Sequence, residues 1–352
     1  MSQGRYEEAE VSLLEAERIY RLPELSGACV QRQVPSLACT LHSLGSLYYN
    51  QGKYVDADER LKDALQMFQS ISYHDHLEVA NVHNSLGATH MACGKMDLAA
   101  EQFEQARAIH LVHHNREHLA ALNNLGVLHT KNGELDKAIE IYVLALSMWR
   151  SQHSNDPESW QAQRGVATTL LNISDIHIQQ NMLDEAMEKI NEALALFRRL
   201  HGEKSPEAAT ALCKVGDIYR KQGKLDEALK VYNKALRYRQ RALGNGNADV
   251  ATSITKVAVI HMDQGHLDEA LVLFEQAAGI QRVAVGDHQL SLCGTCTYIW
   301  NCCGLLGDHS KALASLREVH RIFSSIASPD EVMEIAEMVQ AHERLIARLG
   351  EQ

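Results

Sequence analysis

Apolar and polar positions follow a helical period along this chain, and the pattern recurs. In one copy Leu212, Val215, Gly216 and Tyr219 stand at i, i+3, i+4 and i+7, and after a short polar break Ala228, Tyr232, Ala235 and Leu236 form a second stripe. Two such stripes around a tight break predict two antiparallel helices, each burying one face against the other. The break itself repeats eight times, as Gly4–Ala9, Gly52–Ala57, Gly94–Ala99, Gly133–Ala138, Asn181–Ala186, Gly223–Ala228, Gly265–Ala270 and Gly307–Ala312. Its first position advances by 48, 42, 39, 48, 42, 42 and 42 residues, so the dominant period is 42.

The residue types in the break have a physical reason. Gly, or Asn at 181, tolerates the positive φ that follows a helix end. Asp and Glu just after it fall in the first turn of the next helix, where the helix dipole favours negative charge. The Ala that ends each break is small enough for two helices to approach closely. Four residues later stands a large apolar side chain in every copy: Leu13, Leu61, Phe103, Tyr142, Ile190, Tyr232, Phe274 and Leu316. Three further on is a second small residue, Ala16, Ala64, Ala106, Ala145, Ala193, Ala235 and Ala277, with Val319 in the last copy.

The first helix of several copies carries a Leu-Gly-x-x-Tyr element: Leu44-Gly45-x-x-Tyr48, Leu86-Gly87-x-x-His90, Leu125-Gly126-x-x-His129 and Val215-Gly216-x-x-Tyr219. The pattern resembles the tetratricopeptide repeat. That family's usual unit is about 34 residues. The longer unit here, with Leu122-Asn123-Asn124-Leu125 and linkers such as His201–Glu207, looks like the kinesin-light-chain subgroup. The resemblance implies an all-α fold, a right-handed α-solenoid of antiparallel helix pairs with about 16 helices.

On this reading residues 1–352 form a single array: a lone helix over 4–21, seven helix pairs over about 36–325, and a capping helix over 329–349. Leu22–Pro35 and Ser151–Trp160 are the longer linkers. Ser328, Pro329 and Glu331 make a capping-box start for the last helix. Its inner stripe is Val332, Ile335, Val339, Ile346 and Leu349, with Glu334, Glu337, Gln340, Glu343 and Arg348 outside. Such a polar-backed helix ends a solenoid in water. The other end lacks an equivalent cover, so missing upstream sequence or a partner chain is expected there.

Composition narrows the function class. Hydrophobic residues make up 45% of the chain and charged ones 22%, enough apolar content for a sizeable core. Lys plus Arg number 34 against 45 Asp plus Glu, a net charge of -11, which disfavours a nucleic-acid partner. No apolar run is long enough to span a membrane, and the first residues do not read as a secretory signal. Eight scattered Cys suit a reducing, cytoplasmic setting.

Candidate chemistry is sparse. Cys293, Cys296, Cys302 and Cys303 invite a zinc reading, but three of them fall on a core stripe and read as small buried residues. His90, His129, His177 and His261 occupy the Tyr position of their repeats and read as half-buried rings bonded inside each pair. The run His110, His113, His114 and His118 reads as a solvated turn. No nucleophile–base–acid set and no paired carboxylates emerge, so no metal, no cofactor and no enzyme activity are expected.

What remains is the groove. The resemblance places the first helix of each pair on the concave surface, with its variable outward positions facing ligands. Carried over by distance from the turn Gly, these positions include Asn84, Asn123, Asn124, Lys131 and Asn172. They continue with Lys214, Asp217, Arg220, Lys221, Lys256, Asp263 and Asn301. Asn can pair with an extended peptide backbone, and Lys and Arg with carboxylates. No copy holds the Lys-x-x-x-Asn pair of chaperone-tail binders, and no heptad segment of a motor-bound light chain is present. The expected function is a non-catalytic interaction scaffold holding an extended, partly acidic partner segment in the groove. The alternative is a structural subunit of a large assembly, contacting neighbours through its ends and convex face.

Overall fold

A computed structural model describes residues 2–20, 30–71, 77–112, 118–283, 288–326 and 329–350. All regular structure among these residues is α-helical, in sixteen helices. A lone α1 (Ser2–Tyr20) precedes seven pairs. Pairs one to three are α2 (Val30–Asn50) with α3 (Tyr54–Ser70), α4 (Leu77–Ala92) with α5 (Met96–Val112), and α6 (His118–Lys131) with α7 (Leu135–Asn155). Pairs four and five are α8 (Trp160–Gln179) with α9 (Leu183–His201), and α10 (Pro206–Lys221) with α11 (Leu225–Leu243). Pairs six and seven are α12 (Ala248–Asp263) with α13 (Leu267–Val283), and α14 (His288–Leu306) with α15 (His309–Ile326), followed by α16 (Pro329–Gly350).

The chain groups into two units, one of Met1–Ala145 and one of Leu146–Ala284 with His288–Gln352, the boundary falling within α7. Inside each unit the helices stack in sequence order as an α-solenoid, successive helices packing from α1 to α6 and from α8 to α16 and first helices touching across neighbouring pairs. In the first unit α2, α4 and α6 run side by side; in the second, α8, α10, α12 and α14 do.

The turns form where the pattern places them. Gly52, Gly94, Gly133, Gly223, Gly265 and Gly307 have φ between 71° and 84°, and Asn181 has φ 62°. Each closes the same corner, in which the residue after it donates its backbone N–H to the carbonyl four residues before it, as His266 does to His261 at 2.8 Å. Ala57, Ala99, Ala138, Ala186, Ala228, Ala270 and Ala312 are all fully buried at the helix crossing. The large groups that follow, from Leu61 and Phe103 to Phe274 and Leu316, are buried as well. Side-chain oxygens start four helices among the described residues: Ser159 accepts from the Ala162 amide, Ser205 from Ala208, Asn247 from Asp249 and Asp308 from Lys311.

Several boundaries differ from the sequence expectation. Val30–Pro35 belongs to α2, with Pro35 inside it, and Ser151–Asn155 extends α7, so helix replaces parts of both longer linkers. Pro35 sits near the helix start, where its missing N–H removes at most one bond. Residues 22–29 of the first linker lie outside the described residues, as does Ser328 of the capping box. His110 is fully buried within α5 rather than in a solvated turn, while His113 and His114 lie outside the described residues. In α16 the inner positions Val332, Ile335, Val339 and Ile346 are half-buried and the outer ones exposed, with Ile335 packed on the core of pairs six and seven.

Candidate functional site

Neighbouring first helices are joined by side-chain rungs. In the first unit the His42 ring Nε2 lies 2.9 Å from Ser85 Oγ, and Asn124 Nδ2 donates to Asn84 Oδ1 at 3.0 Å. Burial pushes the His42 pKa down, so this rung stays uncharged at neutral pH. His42, Ser46, Asn81, Asn84, Ser85 and Asn124 line an open hollow of about 450 Å³.

In the second unit the same wall carries charge. Lys214 pairs with Asp175, and Lys256 Nζ lies 2.6 Å from Asp217 Oδ1. Each Lys stands nine residues before its turn, and each Asp six residues before the turn of the preceding pair. Arg220 makes a third rung, donating to Asp263 at 2.5 and 3.3 Å. Asp217 also accepts from the Tyr232 hydroxyl, 2.5 Å away, which reaches up from α11. Burial and the adjacent Asp217 carboxylate push the Tyr232 phenol far above its usual range, so it remains a donor.

One register step further the charges stop. Val259 takes the Asp position and Tyr298 the Lys position. Tyr298 stacks on Phe274 with ring centroids 5.0 Å apart. Beside this change lies a hollow of about 240 Å³, lined among others by Tyr232, Lys256, Val259, Gln281, Thr295 and Tyr298. Gln281 is 3% exposed, and its Oε1 is buried with no hydrogen-bond partner among the described residues. An unmet buried carbonyl costs about 1–3 kcal/mol, so the hollow presents an acceptor in want of an N–H or O–H.

The candidate residues read from sequence therefore sort by contact. Asn84 and Asn124 meet, and Lys214, Asp217, Arg220, Lys256 and Asp263 stand in ion pairs. Asn123 in the first unit and Asn172 in the second are half-buried on first helices, while Lys131, Lys221 and Asn301 are exposed and enter no rung. Gln281 and Tyr232 escaped the sequence reading because they come from second helices. Tyr298 shares the register of Lys214 and Lys256, and that register was the signal available for it.

The cysteines form no such site. Cys293, Cys296, Cys302 and Cys303 are buried core residues. Burial, with the nearby Glu318 carboxylate, raises the Cys293 thiol to about 11 and Cys296 to about 12. Of the four repeat histidines, His129 bonds Glu134 of its own turn, at 2.5 Å. His90 instead bonds Asp58 of the preceding pair, at 2.9 Å, because α3 packs against α4. His177 is half-buried, with its pKa lowered by that burial.

Tetratricopeptide-repeat family models match residues 36–111, 165–241, 209–283 and 90–157. The chain belongs to the tetratricopeptide repeat family. Members of this family serve in general as non-catalytic protein-interaction scaffolds, and the hollows described above lie on the first-helix walls of two tetratricopeptide units. The chain is 34% identical over 116 residues to the transcriptional activator NprA of Geobacillus stearothermophilus, a match covering 33% of this chain and 28% of NprA. The chain thus spans under a third of that relative. Among solved structures, a Rap protein complexed with competence and sporulation factor superposes with TM-score 0.60 at 15% identity, covering 90% of this chain and 85% of that one. The Rap conjugation regulator of plasmid pLS20, solved with the Phr* peptide, gives TM-score 0.61 at 16% identity, covering 90% and 80%. A tetratricopeptide repeat protein of Parabacteroides merdae gives 0.51 at 16%, covering 86% and 98%. At these identities the likeness is one of fold. No helix among the described residues is long and apolar enough to cross a membrane.

Proposed function

We propose that this chain is a non-catalytic adaptor that holds an extended segment of a partner protein along the first-helix wall of its second unit, anchored at the hollow beside Lys256. The observation that carries the reading is the buried, unpartnered Oε1 of Gln281 lining that hollow. A peptide N–H, from the backbone or a side chain, satisfies it. Thr255 adds a hydroxyl acceptor beside it, and in the first unit, taken by itself, Asn81, Asn84 and Asn124 offer amide groups along that unit's own wall. Two proteins of the same fold were solved with a factor or a peptide, which is in keeping with a ligand of that class.

The rungs refine the expected partner. Lys214, Lys256 and Arg220 each already face an aspartate, so the wall is close to neutral where the cations cluster. Recognition then rests more on hydrogen bonds and shape than on net negative charge in the segment.

A second reading, an assembly subunit, draws on α1. Val11, Leu14 and Ile19 are exposed on that helix, an apolar surface suited to another chain. One experiment separates the two: recover partners on the immobilised chain, and compare Gln281→Leu with Val11→Asp. The groove reading expects loss of the partner with Gln281→Leu, together with crosslinks from Lys256 to one continuous partner segment. Loss with Val11→Asp alone overturns it in favour of assembly.

A further inference from the structure

The corner between the two helices of a pair holds two side chains together by backbone geometry. Besides His266 and His261, the same N–H to carbonyl bond joins Lys53 to Tyr48, Glu134 to His129, Met182 to His177 and Lys224 to Tyr219, at 2.8–2.9 Å. The side chains of these positions then meet. Lys53 lies over the Tyr48 ring at 5.2 Å, Lys224 over Tyr219 at 6.0 Å, and Glu134 touches the His129 ring.

In pair six both positions are histidine, with ring centroids 6.1 Å apart. A carboxylate completes the group. Glu269, in the first turn of α13, puts Oε2 at 3.3 Å from His261 Nδ1 and 3.5 Å from His266 Nδ1. All three ligand atoms lie within 4.8 Å of one another, and no other such trio occurs among the described residues. His261 Nδ1 is buried and makes no hydrogen bond of proper geometry.

We propose that His261, His266 and Glu269 bind a divalent transition cation of the zinc type. Zinc takes His nitrogen and carboxylate oxygen at about 2.0–2.2 Å in a tetrahedron, which sets ligand atoms about 3.3–3.6 Å apart. The two nitrogen–oxygen separations here already have that length. The imidazole and carboxylate donor set suits Zn²⁺, and three protein ligands leave a fourth position for water. The corner needs little rearrangement, because the 2.8 Å backbone bond and the positive φ of Gly265 fix the two histidines. The other corners lack the set: pair four offers His177 and Glu185 but Met182, and pair five offers Glu227 but Tyr219 and Lys224. A cation at this corner braces the hairpin that supplies Lys256, Val259 and Gln281 to the hollow.

The test uses the whole chain stripped of metal and titrated with Co²⁺ as a spectroscopic probe, then with Zn²⁺ in competition. Wild type is expected to show one saturable site with visible absorption of a tetrahedral ion, bleached by Zn²⁺. His266→Ala and Glu269→Gln alter exposed side chains, so the circular dichroism should be unchanged while affinity at this site falls at least about tenfold. No saturable site in wild type, or an equal site in both variants, overturns the proposal.

Discussion

Gly216 lies directly against the ring of Tyr232: a Cβ built on it would sit 2.5 Å from Cε1 of that ring. The same approach recurs between Gly87 and Phe103 and between Gly126 and Tyr142. The first helix thus presents bare backbone to the large side chain of the second, and the two helices close on that contact. Gly216→Ala adds a methyl group where none fits and should cost about 1–3 kcal/mol, read as a lower urea midpoint with unchanged slope. An unchanged midpoint would show that the ring turns aside freely.

The Lys256–Asp217 rung is about one-third exposed on each side. A pair of this exposure is worth little, on the order of 0.2–1 kcal/mol, and is screened by salt. A double-mutant cycle with Lys256→Met and Asp217→Asn should return a coupling in that range at low salt and a smaller one at 1 M salt. A coupling that does not fall with salt would refute the reading of this rung as a partly exposed ion pair.

Acid should loosen the contact between α13 and α15. Arg282 donates two hydrogen bonds to Glu318, at 2.9 and 2.7 Å, and these hold the Glu318 carboxyl below its usual value. A depressed folded pKa gives stability that is present above the unfolded value, about 4.3, and is lost as pH falls through the lower folded value. Glu318→Gln should therefore be less stable than wild type near pH 7. The gap should narrow as the pH drops below about 4.3. Chemical denaturation at a series of pH values measures it; a constant gap refutes the assignment.

Cys293 and Cys296 should resist alkylation in the native protein. With thiol pKa values of about 11 and about 12, only about one Cys293 side chain in a thousand is thiolate at pH 8, and both are buried. Mass spectrometry after iodoacetamide should find both unmodified in buffer and labelled in denaturant. Labelling of Cys296 in buffer would reveal local opening of pair seven.

Pairs and turns were legible in the sequence because a positive-φ residue, a small residue and a large one recur at fixed spacing, and packing demands each. Helix ends were less so. Val30–Pro35 and Ser151–Asn155 carry no pattern distinguishing linker from helix, and α2 and α7 continue through them. For the walls, register from the turn Gly located Lys214, Asp217 and Lys256 but not which of the wall residues pair with one another. Asp175 and Lys214 are 39 residues apart, and only the rotation from one pair to the next brings them together. Gln281 and Tyr232 were hidden for another reason: they belong to helices whose repeat positions read as core.

The corner that joins His261 to His266 has a consequence for rewriting the chain. Its backbone is the same in pair five, where Glu227 already stands four residues after Gly223. Tyr219→His with Lys224→His should then transplant a second chelating corner 42 positions upstream, doubling the cobalt equivalents taken up. Each hairpin acts as an interchangeable socket whose chemistry is set by three letters, leaving the scaffold around it untouched.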